Sequence, residues 1–276
     1  MRFSAPAKIN LSLRVLHRRD DGFHEIETLM APVSLCDTLE VELREKGGIE
    51  FSCSDHSLPA GEDNLVVRAV RQFGAFTKIE PHVAIRLEKK IPHGAGLGGG
   101  SSDAATTLLA LDQLYKTRLP PAELSRIAAE LGSDVPFFIW QSAATCRGRG
   151  EIVEPCALPR ALPLLLIKPP FPVPTPWAYK QWRDSVEVPG VPYGPQRFDW
   201  GALVNDLERP VFEKYLQLAE MKRWLLEQPE AAGALMSGSG STIFAVLCEK
   251  ATGSALVEKV TAQFGPHTWL ALTETT

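Results

Sequence analysis

Five glycines fall within the seven residues Gly94 to Gly100, and Ser101 and Ser102 follow at once. The whole segment reads Pro92, His93, Gly94, Ala95, Gly96, Leu97, Gly98, Gly99, Gly100, Ser101, Ser102, and an apolar-periodic run begins directly after it. Glycines let a backbone come close to a ligand and turn its N–H groups toward it. A helix starting at the same point adds the positive end of its dipole. Together these features predict a cradle for a nucleotide polyphosphate. The segment is not a Walker A loop, because no lysine follows Gly100, and it does not sit at a first strand as a dinucleotide fingerprint would. The alternative is that the glycines serve only a tight turn.

Two more charged residues stand out. Lys8 carries a cation on the polar side of the first segment, with Asn10 two residues on. Read alone, Lys8 is a solvated edge lysine; beside Asn10 it is also half of a polar pair aimed at a ligand. Asp134 follows Gly132-Ser133 and precedes Val135-Pro136. It is either a helix cap or a carboxylate able to take a proton. Read alone, His24 is a surface histidine in a hairpin and Ser237-Gly238-Ser239-Gly240-Ser241 a flexible turn before a strand. Asp103 suits the first turn of the helix after the glycines, so it is expected to cap that helix and point away from the phosphates.

The elements that must position these groups are legible from periodicity. Phe3, Ala5, Ala7, Ile9, Leu11, Leu13 and Val15 alternate with Ser4, Lys8, Asn10, Ser12 and Arg14, which predicts a half-buried strand. Asp20-Asp21-Gly22 is a turn. Strands are expected at 25–30, 38–43 and 83–88, the last running straight into the glycine loop. Helices are expected from Asp63-Asn64 to about Phe76, through Ala104, Leu108, Leu111 and Tyr115, and from Pro120-Pro121 to Leu131 with Gly132 as cap. Beyond Cys156 the order is strand 164–167, helix 211–226, strand 234–236, strand 242–247, helix 254–264 and strand 267–272. That order predicts a ferredoxin-like sandwich. Residues 168–197 are dense in proline and read as a long surface loop. The chain is accordingly divided into 1–156 and 157–276.

Composition narrows the class. The 276 residues are 45% apolar and carry a net charge of −4, so no basic excess is available to offset nucleic-acid phosphates. The five cysteines are widely spaced and odd in number, which disfavours a disulfide framework or a zinc site and suits a reducing cytoplasm. No secretory signal or apolar span long enough for a bilayer is evident.

Three blocks carry a resemblance. They are Ala5-Pro6-Ala7-Lys8-Ile9-Asn10-Leu11 with Arg18-x-Asp20-x-Gly22-Phe23-His24; the glycine loop with Leu131-Gly132-Ser133-Asp134-Val135-Pro136; and Ser237 to Ser241. In this order they resemble the superfamily of galactokinase, homoserine kinase, mevalonate kinase and phosphomevalonate kinase, the GHMP kinases. The resemblance implies an α+β, two-domain GHMP fold. Its N-terminal ATP-binding domain would be mixed α/β with a left-handed βαβ unit like that of a ribosomal protein, and its C-terminal domain a ferredoxin-like α/β sandwich. It implies ATP and Mg²⁺ as cofactors, with Ser101 a candidate metal contact. The Gly-Phe-His segment points to the branch that phosphorylates a cytidine-diphosphate sugar alcohol in isoprenoid precursor synthesis. Other GHMP small-molecule kinases, or a non-catalytic nucleotide-binding module, are the alternatives.

Position by position, the resemblance makes Asp134 the base and Lys8 the cation that stabilises developing charge. Asn10 and His24 contact substrate, Phe23 and Tyr179 sandwich the cytosine, and Thr175 lies in the same substrate-binding segment. Asn64 and a lysine, Lys89 or Lys90, lie toward the adenine, and Pro92 to Ser102 hold the phosphates. Phe23 stands where the family commonly has Tyr, and His93 and Ala95 where it has Met and Gly. Partners are the two small molecules, without nucleic acid or membrane, and the chain is expected to be a monomer or homodimer.

Overall fold

The computed structural model describes residues 1–276. In chain order the elements are β1 (Arg2–Arg18), β2 (His24–Leu43), β3 (Ile49–Cys53), α1 (Leu65–Thr77), β4 (Val83–Glu88), α2 (Gly99–Tyr115), α3 (Pro121–Leu131), α4 (Val135–Ile139), β5 (Ala144–Gly148) and β6 (Ile152–Pro155). There follow β7 (Pro163–Lys168), α5 (Thr175–Gln181), β8 (Gln196–Phe198), β9 (Gly201–Asn205), α6 (Glu208–Lys214), α7 (Leu216–Leu226), β10 (Ala231–Met236), β11 (Ile243–Leu247), α8 (Gly253–Phe264) and β12 (Trp269–Glu274).

The first sheet runs β3-β4-β2-β1-β9-β8, with β5 and β6 continuing from the other half of β2. β3 and β4 are parallel, so α1 is the crossover of a βαβ unit. Helices α1 to α4 cover one face and bury Phe73, Leu108, Leu111 and Phe137. The second sheet runs β10-β11-β7-β12 and is antiparallel throughout. With helices between β7 and β10 and between β11 and β12, this is the ferredoxin-like arrangement. A third apolar cluster, including Ile9, Leu11, Leu97, Leu164, Leu235 and Phe244, joins the two sheets.

Four expectations change. The polar face of β1 is not solvated: Lys8 and Asn10 are each only 3% exposed, because α2 and the Ser-Gly turn cover that face. Residues 168–197 are not one loop. Thr175–Gln181 forms α5, entered through Pro174 and with Pro176 in its first turn, where a missing N–H costs nothing. The helix expected over 211–226 is two helices, broken at Tyr215, whose ring stacks on Phe171 at 5.3 Å. Finally, the division at 156 is crossed: Ser12 and Leu13 of β1 pair in parallel with Val204 and Asn205 of β9, so the β8–β9 hairpin belongs to the first sheet.

Candidate active site

Lys8 leaves β1 beside a register shift between Pro6 and Lys8. Its backbone N–H donates to the Leu97 carbonyl at 2.9 Å. Its Nζ donates to Asn10 Oδ1 at 2.6 Å and lies 3.5 Å from Asp134 Oδ2. Asn10 is itself fixed, Nδ2 donating to Thr28 Oγ1 at 2.8 Å and its N–H to Ser237 Oγ at 3.3 Å. An ammonium this deeply enclosed requires such partners, since an unpaired one would cost several kcal/mol (roughly) in lost hydration. Asp134 immediately precedes α4, but its side chain caps nothing. The carboxylate turns instead to Lys8 and toward the cavity, 37% exposed against 4% for the lysine side chain.

The glycine loop forms the opposite wall. Gly94, Gly96 and Gly98 all hold positive φ. At Gly96 a Cβ would collide with the Ser237 carbonyl, so the glycine loop and the Ser-Gly turn touch backbone to backbone. Ser237 Oγ donates to the Gly96 carbonyl at 3.0 Å, and Asn205 Nδ2 donates to the Met236 and Gly238 carbonyls at 2.7 and 2.8 Å. Helix α2 has no side-chain cap, and its first ladder bond is Ser102 N–H to the Gly98 carbonyl at 2.9 Å. The amides of Gly99, Gly100 and Ser101 precede that bond at the positive end of the helix, where no ladder partner is available to them.

Lys8, Asn10, Asp134, the loop from Gly94 to Ser101 and Gly238 line one cavity of about 1630 Å³. It extends from Asn64 and the glycine loop past Lys8 and Asp134 to Phe23, His24, Thr175 and Tyr179. At that far end the His24 ring stacks on Tyr179 at 5.4 Å and meets Trp182 edge-on at 6.0 Å. Burial, helped by the charge of Arg18, holds His24 below the usual imidazole range, so at neutral pH it offers one donor and one acceptor. Burial and then the nearby Asp134 charge push the Tyr179 phenol up. Thr175 Oγ1 is hydrogen-bonded to Ser239 Oγ at 2.7 Å, tying α5 to the Ser-Gly turn.

Residues 64–142 match the GHMP kinases N terminal domain and residues 198–266 the GHMP kinases C terminal model. A curated 4-diphosphocytidyl-2-C-methyl-D-erythritol kinase of Methylacidiphilum infernorum is 42% identical over 98% of this chain and 95% of its own length. The chain belongs to the 4-diphosphocytidyl-2-C-methyl-D-erythritol kinase family of GHMP kinases. A crystal structure of 4-(cytidine 5'-diphospho)-2C-methyl-D-erythritol kinase matches over 100% of both chains at 38% identity, with a TM-score of 0.81. A homoserine kinase of Cytophaga hutchinsonii shares the fold, at 20% identity over 100% of this chain and 94% of its own, with a TM-score of 0.68.

Within this GHMP kinase, most positions singled out from the sequence reach the cavity: Lys8, Asn10, Phe23, His24, Asn64, Lys89, Pro92 to Ser101, Asp134, Thr175 and Tyr179 all line it. Ser102 does not; it is fully buried under the first turn of α2. Asn64 lines the cavity with its amide already engaged, Oδ1 accepting from Val66 N–H at 2.9 Å and Nδ2 donating to the Pro59 carbonyl at 2.8 Å. Lys89 is locked beneath the loop. Its Nζ bridges the Asp37 carboxylate and Asp103 Oδ2, the latter at 2.7 Å. Asp103 therefore does not cap α2, as its sequence position suggested; it is buried and paired. Asp37 went unnoticed in the sequence. It is fully buried and accepts the N–H groups of Lys90 and Ile91 at 2.5 and 2.8 Å, which anchors the entry to the loop. An isolated aspartate in a strand gives no local sign of that task.

Proposed function

We propose that this kinase transfers the γ-phosphoryl group of ATP to the 2-hydroxyl of 4-diphosphocytidyl-2-C-methyl-D-erythritol. The observation that carries the reading is the 3.5 Å approach of Lys8 Nζ to Asp134 Oδ2 between the glycine loop and the aromatic end of one cavity. The names of the family relatives support the acceptor.

Phosphoryl transfer asks for positioning and charge stabilisation more than for covalent chemistry. The amides of Gly99, Gly100 and Ser101 bind the β-phosphate region. Asp134 accepts the hydroxyl proton as the phosphoryl group departs, and Lys8 stabilises the charge on the attacking oxygen. Asn10 holds Lys8 in place and faces the acceptor. Phe23 and Tyr179 flank the cytosine, and His24 reads its edge. No group of three or more His, Cys, Asp or Glu side chains is arranged to hold a metal ion. Magnesium would be held mainly by phosphate oxygens and water, with the Ser101 hydroxyl a candidate protein contact, and would supply neutralisation of phosphate charge. No helix is long and apolar enough to cross a membrane, and all five cysteines are free thiols, which suits the reducing cytoplasm.

Incubation with ATP, magnesium and 4-diphosphocytidyl-2-C-methyl-D-erythritol, beside parallel reactions with homoserine and mevalonate, tests the reading by mass spectrometry. A product one phosphate heavier from the cytidylyl substrate alone is expected. Phosphorylation of homoserine or mevalonate instead would overturn the choice of acceptor.

A further inference from the structure

A cytidine-diphosphate acceptor carries a doubly anionic linker between its base and its reactive hydroxyl. The aromatic platform at Phe23 and the carboxylate of Asp134 mark the two ends that linker must span. Arg149, in the turn joining β5 to β6, lies between them. Its guanidinium carbon sits 4.8 Å from the centroid of the Phe23 ring. The adjoining residue, Gly150, would place a Cβ 3.6 Å from Asp134 Oδ1.

We infer that Arg149 is the residue that grips the diphosphate of the substrate, a role resting on the function proposed above. The guanidinium is half-buried, lines the cavity and makes no hydrogen bond to any protein acceptor. The nearest carboxylate is that of Glu151, with Oε1 3.6 Å from Arg149 Nε and Oε2 held by the Arg149 backbone N–H at 2.6 Å. Asp21 is the other acid nearby, but its oxygens accept from the Phe23 N–H and from Arg19 Nε, each at 3.1 Å. The planar fork of five donors is thus available, and that geometry matches phosphate oxygens. Its stacking on Phe23 keeps it at the platform until a diphosphate arrives. Arg18, Lys180 and Arg183 line the same cavity, but of these cations only Arg149 lies over an aromatic ring. The sequence offered no signal here: a lone arginine in a Gly-Arg-Gly turn is ordinarily solvated.

The test is calorimetric binding of cytidine and of cytidine 5'-diphosphate to the full chain and to R149Q, R149K, K180Q and R183Q. Charge-assisted hydrogen bonds predict that the unaltered protein binds the diphosphate about 10- to 100-fold more tightly than the nucleoside. R149Q is expected to lose most of that margin while keeping its cytidine affinity and its KM for ATP, with R149K intermediate. The assignment is overturned if R149Q keeps the margin, if it weakens both ligands equally, which would make Arg149 a support for the Phe23 ring alone, or if K180Q or R183Q removes the margin and R149Q does not. An unaltered protein that binds neither ligand would instead overturn the proposed function, and this role with it.

Discussion

Lys8 and Leu97 are joined backbone to backbone: the Lys8 N–H donates to the Leu97 carbonyl at 2.9 Å, although the two lie on different elements. The next residue, Gly98, has φ +69, and a Cβ there would stand 2.9 Å from Phe138 Cζ and 3.0 Å from Lys8 Cγ. The phosphate loop is therefore moulded onto the stem of the lysine. Gly98→Ala should displace both, raise KM for ATP, lower kcat and reduce stability by about 1–3 kcal/mol. Urea unfolding alongside steady-state kinetics checks this. Normal kinetics in the variant would show that loop and lysine are independent.

Asp134 makes no cap and no hydrogen bond that the fold needs. Asp134→Ala should lower kcat by roughly 10²–10⁴ while ATP binding stays within a few-fold, and should also cost some stability, because the buried Lys8 ammonium loses its charged partner. Lys8→Ala should cost about 10² or more in kcat, and also some stability, because it leaves Asn10 Oδ1 without its buried donor. Single-turnover rates separate these effects from product release. A fast Asp134→Ala enzyme would remove the base assignment.

Under the glycine loop, burial raises the Asp103 carboxyl from 3.8 to about 7, against the pull of Lys89 and with the added repulsion of Asp37. The folded protein therefore binds a proton at Asp103 more tightly than the unfolded chain does. This contributes stability that is complete below about pH 4 and lost as pH rises through 7. Asn does not titrate, so Asp103→Asn should gain stability relative to the unaltered protein as pH climbs from 4 to 8. Urea midpoints of both proteins across that range measure the difference, and a difference independent of pH would contradict the proposed burial cost.

Phe23 is 51% exposed, an unusual position for a phenylalanine unless a ligand covers it. Phe23→Ala should raise KM for the cytidylyl substrate by roughly 5- to 150-fold, the worth of one base stack, and leave KM for ATP nearly unchanged. Equal effects on both substrates would argue against a cytosine platform.

Local patterns settled much in advance. The Asn64 cap and the helix after it, the Pro121 start and Gly132 end of α3, the alternation of Val83–Glu88 and the glycine cradle all depend on residues within a turn or two of one another. Those short-range rules left Lys8 an edge lysine and Asp134 a helix cap; the resemblance to GHMP kinases gave them their roles. What they could not give was burial and partnership. The alternation in β1 cannot reveal that its polar face is covered, because the cover comes from α2 and from Ser237, far along the chain. Proline density hid α5, whose Tyr179 finds its place by stacking on His24 from the first hairpin. No local rule showed that Asp37 and Asp103 pair with the Lys89 ammonium at the cavity edge, or that the first turn of α2 buries Ser102. The sequence alone determined the elements whose signals are local, such as α1, α3 and β4, and where charged and polar side chains stand along them. The tertiary structure alone decided which of those groups face the cavity and which neutralise one another beneath it, since a charge's environment is set by atoms that only folding brings near.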